Sequence, residues 1–411
     1  MTQVDFASQE FLTNPYPSYA RLREAGPVHR VQGPMGVEIW LVTRYEEARA
    51  ALADDRLAKS LAHAPQWMRD QQLVSGEDEG VAGRNMLDTD PPDHTRMRRL
   101  VAKAFTRRRI DRLRPRIEQI TGELLDGMAR QREVDLIAAL AFPLPITVIC
   151  ELLGVRLEDR DDFREWTRMM LTAPLTEEGA AQRERARRIR EQYLATLIAR
   201  ARARVDRAID PDDQPDLISA LVVAADERDQ LSERELLGMV QLLLIAGHET
   251  TVNLIGNGML ALLTHPDQLR LLRDEPDLLA GAIEELLRYD GPVERATPHF
   301  ATEDVELGGV TIPKGSAVLV GLAAADRDPA HTPGAEELDI TRADRGHLAF
   351  GHGIHYCLGA PLARLEGQVA IGGLLRRFPE LALGCAPEEL RWRPGGPVGI
   401  LRGLEALPVR L

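Results

Sequence analysis

The amino-acid sequence predicts a mainly α-helical protein that forms one domain over residues 1–411, with a long central helix and a smaller β-rich portion. Three observations lead to this class. Between residues 110 and 223 the apolar residues recur at helical spacing, without strand-like alternation. A second apolar stretch, residues 232–263, is long enough to cross the core as one helix. Short alternating or β-branched runs, separated by glycine and proline turns, are expected to form strands in residues 28–42, 292–322 and 381–411.

The N-terminal elements are marked by turn residues. The segment Asn14 to Ser18 is typical of a helix start, and Gly26-Pro27 ends that helix. Two short apolar runs within residues 28–42 then predict a β-hairpin, after which Thr43 is expected to cap the next helix. The residues that follow, 59–90, lack periodicity, and we expect them to form a binding loop.

Composition argues against several classes of protein. The formal net charge of −13 argues against nucleic-acid binding, which needs a basic surface. No run of about 18 or more apolar residues occurs, so neither a transmembrane helix nor a membrane partner is expected. The three cysteines, Cys150, Cys357 and Cys385, lie far apart in the chain, which fits a reducing compartment. We therefore expect a soluble, cytoplasmic protein.

One segment departs from this acidic average. Between Arg96 and Arg116, ten of 21 residues are lysine or arginine, and only Asp111 is acidic. Such a segment is either the solvated face of a helix or a surface that attracts an acidic partner. The second interpretation predicts that charge reversal at Arg108 and Arg112 weakens the binding of that partner.

The central helix begins with a capping box and has polar residues at its middle. Ser232 and Glu235 can each bond the other's backbone amide. Farther along, the segment Ala246-Gly247-His248-Glu249-Thr250-Thr251 places a glycine and polar side chains in an apolar helix, which is locally unfavourable and often indicates function. Gly247 and Thr250 share one face, so the glycine can make room for a ligand beside a hydroxyl group. A helix bend caused by packing is the structural alternative.

A cysteine near the C-terminal end is surrounded by glycines. Gly351, Gly353 and Gly359 allow the backbone around Cys357 to take positive φ angles and to lie flat against a bulky planar ligand. A helical pattern begins at Leu358, and amides at a helix N-terminus favour a thiolate. Such a thiolate can bind iron or act as a nucleophile, whereas most lone cysteines are small buried hydrophobes.

The cysteine segment resembles the haem-binding loop of the cytochrome P-450 family. The family pattern Phe-Gly-x-Gly-x-x-x-Cys-x-Gly is matched at every fixed position from Phe350 to Gly359. The resemblance implies the fold of that family, in agreement with the class predicted above. Three further segments match family motifs in family order: His94 and Arg98 as His-x-x-x-Arg, Ala246 to Thr250 as Ala/Gly-Gly-x-Asp/Glu-Thr, and Glu285 with Arg288 as the structural Glu-x-x-Arg.

The resemblance implies that the protein binds haem b, with Cys357 as the axial thiolate ligand. It also implies contacts of His94, Arg98 and His355 with the haem propionates. The sequence departs from the family at His299, where an arginine is common; a histidine can donate one such bond, with a charge that depends on pH. The residues expected to bind the cofactor are His94, Arg98, Ala246, Gly247, His299, Phe350, Gly351, His355, Cys357, Gly359 and Ala363.

The activity that the resemblance implies is monooxygenation of a hydrophobic small molecule. Thr250 and Glu249 would relay protons to O2, and electrons from NAD(P)H would arrive through a ferredoxin reductase and a ferredoxin. The run of motifs, including Gly291 to Thr297, looks most like actinobacterial enzymes that hydroxylate macrolides and other polyketides; steroids, terpenes and fatty acids are the alternatives. The apolar substrate pocket is expected to be lined by Leu243, Ala246, Val293, Ala296 and Ile400.

Three other activities stay open at this stage. A hydrogen-peroxide-driven peroxygenase would share the Cys357 ligand but typically lacks an alcohol at the position of Thr250. A haem sensor or carrier would bind haem without consuming reductant. A cysteine hydrolase would use Cys357 as its nucleophile and would be purified without haem.

Overall fold

The computed structural model describes residues 4–6, 8–33, 37–70, 83–156, 166, 177–226, 231–343, 346–393 and 400–411. The chain divides into two compact units. Among the described residues, no helix has the length and apolar character needed to cross a membrane. The first unit comprises Met1–Leu57, Arg114–Pro145 and Glu249–Leu411, and the second comprises Ala58–Leu113 and Ile146–His248.

Helices account for most of the described chain, as the sequence predicts. The longest of them is α10, which begins at Glu233. Ser232 precedes this first residue, and Glu235 is the third residue of the helix. The helices are α1 (Gln9–Thr13), α2 (Tyr16–Ala25), α3 (Tyr45–Ala51), α4 (Gln66–Asp70), α5 (Asp93–Ala104), α6 (Arg107–Met128), α7 (Pro143–Leu153), α8 (Glu177–Arg204), α9 (Leu217–Asp226), α10 (Glu233–Thr264), α11 (Pro266–Asp274), α12 (Leu279–Asp290), α13 (Leu322–Ala325) and α14 (Ala360–Arg377).

In the described part of the chain the strands form three sheets, with the orders β1-β2-β8-β5-β3, β4-β10-β9 and β6-β7. The predicted hairpin is confirmed, because β1 and β2 pair antiparallel with Val31 opposite Ile39. The strands are β1 (Val28–Gln32), β2 (Glu38–Val42), β3 (Leu57–Ala58), β4 (Glu133–Asp135), β5 (His299–Ala301), β6 (Val305–Leu307), β7 (Val310–Ile312), β8 (Ala317–Val320), β9 (Ala382–Leu383) and β10 (Pro408–Arg410).

Strands β3 and β4 lie outside the predicted β-rich ranges. The expectation of an entirely helical stretch over residues 110–223 is therefore wrong at β4. Val134 of β4 lies opposite Val409 of β10, so the strand depends on a partner near the end of the chain. A strand of three residues is too short for its own alternation to be recognised in the sequence.

The capping box at the start of α10 is confirmed. The Ser232 amide donates to Glu235 Oε2 at 2.9 Å, and the Glu235 amide donates to Ser232 Oγ at 3.2 Å. Burial alone would raise the pKa of Glu235, but hydrogen bonds from Arg96 and Ser232 lower it to about 2. The carboxylate is therefore charged at neutral pH and complements the positive end of the helix dipole.

Thr43 does not cap α3, contrary to the prediction. Its hydroxyl lies 3.3 Å from the carbonyl oxygens of Gly26 and Pro27. The Tyr45 amide at the start of α3 instead donates to Asp328 Oδ2 at 2.9 Å. The cap is thus supplied by a residue that is distant in sequence.

The predicted binding loop over residues 59–90 contains short helices where it is described. They are Leu61–His63, α4 and Met86–Asp88, and residues 71–82 lie outside the described ranges. Ser60 and Asn85 accept hydrogen bonds from amides two residues ahead and so begin two of these turns. One-turn helices of this kind have no periodicity, which is why the sequence pattern missed them.

Most of the basic segment 96–116 is neutralised within its own unit. Arg108 pairs with Asp212 and Asp213, and Arg112 Nη1 lies 3.3 Å from Asp213 Oδ1. Charge reversal at Arg108 and Arg112 would therefore break intramolecular ion pairs, so these residues are unsuitable probes of a docking surface. Arg99 and Lys103, two exposed cations of α5, are better probes of such a surface.

Candidate functional site

The cysteine loop leads from the short helix Gly353–His355 into α14. The Cys357 amide donates to the Phe350 carbonyl at 2.9 Å, which closes the loop. Gly351 and Gly353 have φ angles of 71° and 72°, so the predicted positive φ is confirmed at these two glycines. It is wrong at Gly359, where φ is −79°.

The surroundings of the three loop glycines differ, so the reason for having glycine differs from one position to the next. A Cβ on Gly353 would lie 2.8 Å from the Leu52 carbonyl oxygen, so the backbones approach too closely for any side chain. A Cβ on Gly359 would lie 3.8 Å from Cys357 Sγ, and a larger side chain there would begin to cover the sulfur. At Gly351 a Cβ would have no neighbour within 4 Å, so one side of the loop is open.

The surface of the loop fits a flat, apolar, iron-containing group. Cys357 is exposed, and the nearby side chains of Ile354 and Tyr356 are 43% and 39% exposed. Large apolar side chains are seldom left in water together beside a thiol unless something covers them. A soft sulfur donor between apolar side chains suits haem iron, so the residues present fit the cofactor.

A half-buried ion pair between α12 and α14 lies beside Phe350 of the loop. Arg364 of α14 donates two hydrogen bonds of 2.8 Å to Glu284 of α12, and its guanidinium carbon lies 4.5 Å from the centre of the Phe350 ring. His347 also bonds Glu284, at 3.2 Å. Burial alone would raise the pKa of Glu284, but Arg364 and His347 lower it to about 2. Phe350, whose carbonyl holds the Cys357 amide, is thereby fixed.

The middle of α10 has one accessible face. Ala246 is exposed, and Leu243, Gly247 and Thr250 are half-buried, whereas Leu244 and His248 between them are buried. Positions 243, 246, 247 and 250 share one side of a helix because they are three or four residues apart. The Thr250 side chain is thus half-buried on the side of α10 that also carries Ala246 and Gly247.

Gly247 serves packing within the second unit. A Cβ on this residue would lie 2.7 Å from Ile149 Cδ1 of α7, so the glycine makes room for a neighbouring helix. The imidazole of His248 has a polar contact within its own helix, because its Nδ1 lies 2.7 Å from the Leu244 carbonyl, one turn back. Gly247 thus has a role in helix packing, while the space for a ligand beside it stays a prediction.

Glu249 is buried and lies beside a residue that the sequence motifs did not indicate. Arg393 Nη1 lies 3.5 Å from Glu249 Oε2, and Arg393 Nη2 donates to Asn253 Oδ1 at 2.6 Å. The signal that could have indicated this contact is the row Glu249, Asn253 and Asn257, which repeats every four residues along an apolar helix.

The expected propionate ligands occupy both units. His94, on α5, is 2% exposed, and burial together with the nearby charge of Arg98 lowers its pKa. A lowered pKa keeps the imidazole neutral at pH 7, so His94 can donate one hydrogen bond. His299 is buried in β5 opposite Val318, and His355 is half-buried in the cysteine loop.

Three of the five expected pocket residues lie close together. The Ile400 carbonyl accepts a 2.8 Å hydrogen bond from Glu294, and Val293 forms a β-bridge with Leu401. Val293, Ala296 and Ile400 are all half-buried. Accessible apolar surface is therefore present in this part of the first unit, while Leu243 and Ala246 belong to the second unit.

Comparison with known proteins identifies close relatives. The family model described as Cytochrome P450 matches residues 23–383. The chain is 51% identical over 405 residues to cytochrome P450 monooxygenase PikC of Streptomyces venezuelae, covering 98% of this chain and 92% of the relative. It is 47% identical to vitamin D(3) 25-hydroxylase of Pseudonocardia autotrophica, covering 100% and 96%. It is 46% identical to 6-deoxyerythronolide B hydroxylase of Saccharopolyspora erythraea, covering 100% of both chains.

Solved structures give the same result for the fold. The tirandamycin C-bound P450 monooxygenase TamI superposes with a TM-score of 0.87 at 45% identity, covering 100% of both chains. The myxobacterial cytochrome P450 CYP267B1, in complex with myristic acid, superposes with a TM-score of 0.91 at 40% identity, covering 98% of both chains. The predicted fold class, a mainly helical fold with a smaller β-rich portion, is thus confirmed.

Proposed function

This chain belongs to the cytochrome P450 family, whose members hold haem b through an axial cysteine thiolate, and from this premise we propose that Cys357 is the iron ligand of a single haem domain. The observation that carries the assignment is the exposed thiol of Cys357, which follows the exposed residues Ile354 and Tyr356 just before α14. The remaining members of the cofactor site are His94, Arg98, Ala246, Gly247, His299, Phe350, Gly351, His355, Gly359 and Ala363.

The protein is a cytochrome P450 monooxygenase. When bound, thiolate-ligated haem uses two electrons and two protons to split O2, so that one oxygen atom enters the substrate and the other leaves as water. We assign the proton transfers to Thr250 and Glu249. The Thr250 hydroxyl, half-buried on α10, would hold a proton for the reacting oxygen atom, and the Glu249 carboxylate would accept protons from solvent and return them towards Thr250.

The Thr250 assignment predicts a loss of coupling. Thr250→Ala removes the hydroxyl, so electrons are expected to leave as hydrogen peroxide, and product formed per electron pair should fall by about tenfold or more. Product, peroxide and consumed reductant are measured in the same assay. Thr250→Ser keeps the hydroxyl and is the matched control. Equal coupling in the alanine variant and the wild type would contradict the role of Thr250.

We propose a macrolide or related polyketide as the substrate. In support, 6-deoxyerythronolide B hydroxylase and the tirandamycin C-bound TamI each match the chain over its full length at 45% identity or more. The half-buried apolar residues Leu243, Val293, Ala296 and Ile400, with the exposed Ala246, suit a bulky apolar ligand. One relative is named vitamin D(3) 25-hydroxylase, and one similar solved structure contains myristic acid. Other classes of substrate therefore need to be tested as well.

The substrate experiment is a binding panel. Macrolactones, linear polyketides, steroids and fatty acids are titrated into the haem protein, and the spin-state change of the haem is recorded. We expect macrolactones to bind most tightly and to be hydroxylated in the presence of reductant. Preferential binding and turnover of a steroid or fatty acid would replace the proposed substrate while leaving the monooxygenase assignment unchanged.

We propose a ferredoxin as the electron donor, acting in the reducing cytoplasm that three cysteines far apart in the chain favour. Arg99 and Lys103 are exposed and lie four residues apart on α5. Neither takes part in an ion pair between residues that the structure describes. They form a positive surface that an acidic protein can approach.

Charge reversal tests this surface. The double substitution Arg99→Glu and Lys103→Glu is expected to raise the KM for ferredoxin by about tenfold at low ionic strength, with a smaller effect in high salt. Arg185→Glu with Arg200→Glu changes the net charge equally at two exposed positions of α8 and is the control. An equal effect of both double variants would show that only net charge matters.

A further inference from the structure

One side of α10 carries a row of polar residues that contacts the C-terminal segment. Asn257 Nδ2 donates to the Arg402 carbonyl at 3.1 Å. Asn253 packs against Gly403 so closely that a Cβ on the glycine would lie 2.1 Å from Asn253 Oδ1. The third member of the row is Glu249. All of these residues belong to the first unit.

The backbone of Arg393 is held firmly in this segment. Its amide donates to the Gly403 carbonyl at 2.8 Å, and Trp392 forms an antiparallel β-bridge with Leu404. The Glu405 amide donates to the Arg391 carbonyl at 2.9 Å, which extends the pairing. The backbone that carries the Arg393 side chain is therefore fixed, and the guanidinium extends from it to α10.

The two contacts of the guanidinium differ in length. Arg393 Nη2 lies 2.6 Å from Asn253 Oδ1, a close hydrogen bond, whereas Arg393 Nη1 lies 3.5 Å from Glu249 Oε2. The Arg393 side chain is 37% exposed and the Glu249 side chain 10% exposed. Asn253 thus anchors the cation, and the cation attracts the carboxylate without holding it at close hydrogen-bonding distance.

We propose that Arg393 is a positioning residue for proton delivery, and that it acts by holding the Glu249 carboxylate ionised and oriented between solvent and Thr250. The proposal rests on the proton-relay role proposed above for Glu249. A carboxylate must be ionised to accept a proton, and it must face the group to which it returns that proton. A nearby cation stabilises the ionised form, and the anchored guanidinium attracts the carboxylate towards one direction.

The experiment uses the haem protein with its reductase system and a turned-over substrate. Arg393→Gln is expected to lower product per electron pair by about tenfold, because the carboxylate loses its orientation. The missing product should appear as hydrogen peroxide, formed from O2, two electrons and two protons. Arg393→Lys keeps the positive charge and should recover most of the coupling. Arg391→Gln, two residues away and exposed, should match the wild type.

A double variant separates positioning from a general effect on the fold. In a Glu249→Gln background, Arg393→Gln should cause no further loss of coupling, because there is no carboxylate to position. Urea unfolding of the wild type, the two single variants and the double variant is a measurement that does not depend on turnover. The effect of Arg393→Gln on the unfolding equilibrium constant should differ by a factor of roughly 1.5 to 5 between the wild-type and the Glu249→Gln backgrounds.

The outcomes distinguish the two proposals. If Glu249→Gln leaves coupling unchanged, the relay role of Glu249 fails and the role of Arg393 fails with it. If Glu249→Gln uncouples the enzyme but Arg393→Gln does not, only the positioning proposal is overturned. Equal losses from Arg393→Gln in both backgrounds, or no recovery with lysine, would also overturn it.

Discussion

Replacing Cys357 with alanine is expected to abolish substrate oxidation and to remove the red-shifted carbonyl absorption band of the reduced haem protein. The thiolate donates electron density to iron, and both the band and the activation of O2 depend on that donation. Cys357→His offers a nitrogen ligand instead, as in proteins with a proximal histidine. We expect it to retain some haem but to show an unshifted carbonyl band, which distinguishes loss of the sulfur from loss of haem.

Cys385 provides the matched control for Cys357. Burial and the nearby Glu389 carboxylate raise the pKa of Cys385, so it remains a neutral thiol at pH 7 and a poor metal ligand. Cys385→Ala is therefore expected to keep both the red-shifted band and full activity. A red-shifted band that persists in Cys357→Ala would show that another residue holds the iron.

The features that the sequence predicted correctly are those whose partners are close in the chain. The capping box joins Ser232 to Glu235, three residues on. The hairpin joins β1 to β2, whose facing ends Gln32 and Glu38 are six residues apart, and the loop glycines Gly351 and Gly353 lie within six residues of Cys357. Local geometry and turn chemistry suffice for such features, because few alternative partners compete at short range.

The features that the sequence did not predict join distant residues. Asp328 caps α3 by binding Tyr45, and Arg364 reaches Glu284 eighty residues away. Arg393 reaches Glu249 from a segment 144 residues farther along. Periodicity and motif spacing carry no information on such pairs, because tertiary packing alone decides which of many similar charges meet.

The pair Glu285 and Arg288 shows how a weak local signal becomes a strong contact after folding. An acid and a base three residues apart on a helix are common and contribute little when exposed. Here both side chains are at most 1% exposed, and Arg288 donates two 2.8 Å hydrogen bonds to Glu285. The same guanidinium also donates to the carbonyls of Asp326, Ala335 and Glu337, at 2.7–2.9 Å.

Arg288→Ala is expected to destabilise the protein by about 3–5 kcal/mol, because it leaves the Glu285 carboxylate buried without its main cation. It also removes the Arg288 donor from the carbonyls of Asp326, Ala335 and Glu337, of which Glu337 keeps a 3.2 Å hydrogen bond from Arg342. The total stability of a folded domain is about 5–15 kcal/mol, so the variant should lose a large fraction of its stability and give a lower yield of haem protein. The measurements are the yield of haem protein and the urea concentration at the unfolding midpoint.

Arg114 supplies the control for this stability prediction. Arg114 and Glu118 of α6 form an ion pair four residues apart, with side chains 50% and 55% exposed. Arg114→Ala removes the same charge from a solvated pair and should change the unfolding free energy by less than about 1 kcal/mol. If Arg288→Ala proved as stable as Arg114→Ala, the donors that remain at Glu285 would be sufficient to stabilise its carboxylate. These donors are Arg342, whose Nε lies 3.3 Å from Glu285 Oε2, and the Asp339 amide at 3.0 Å from Glu285 Oε1.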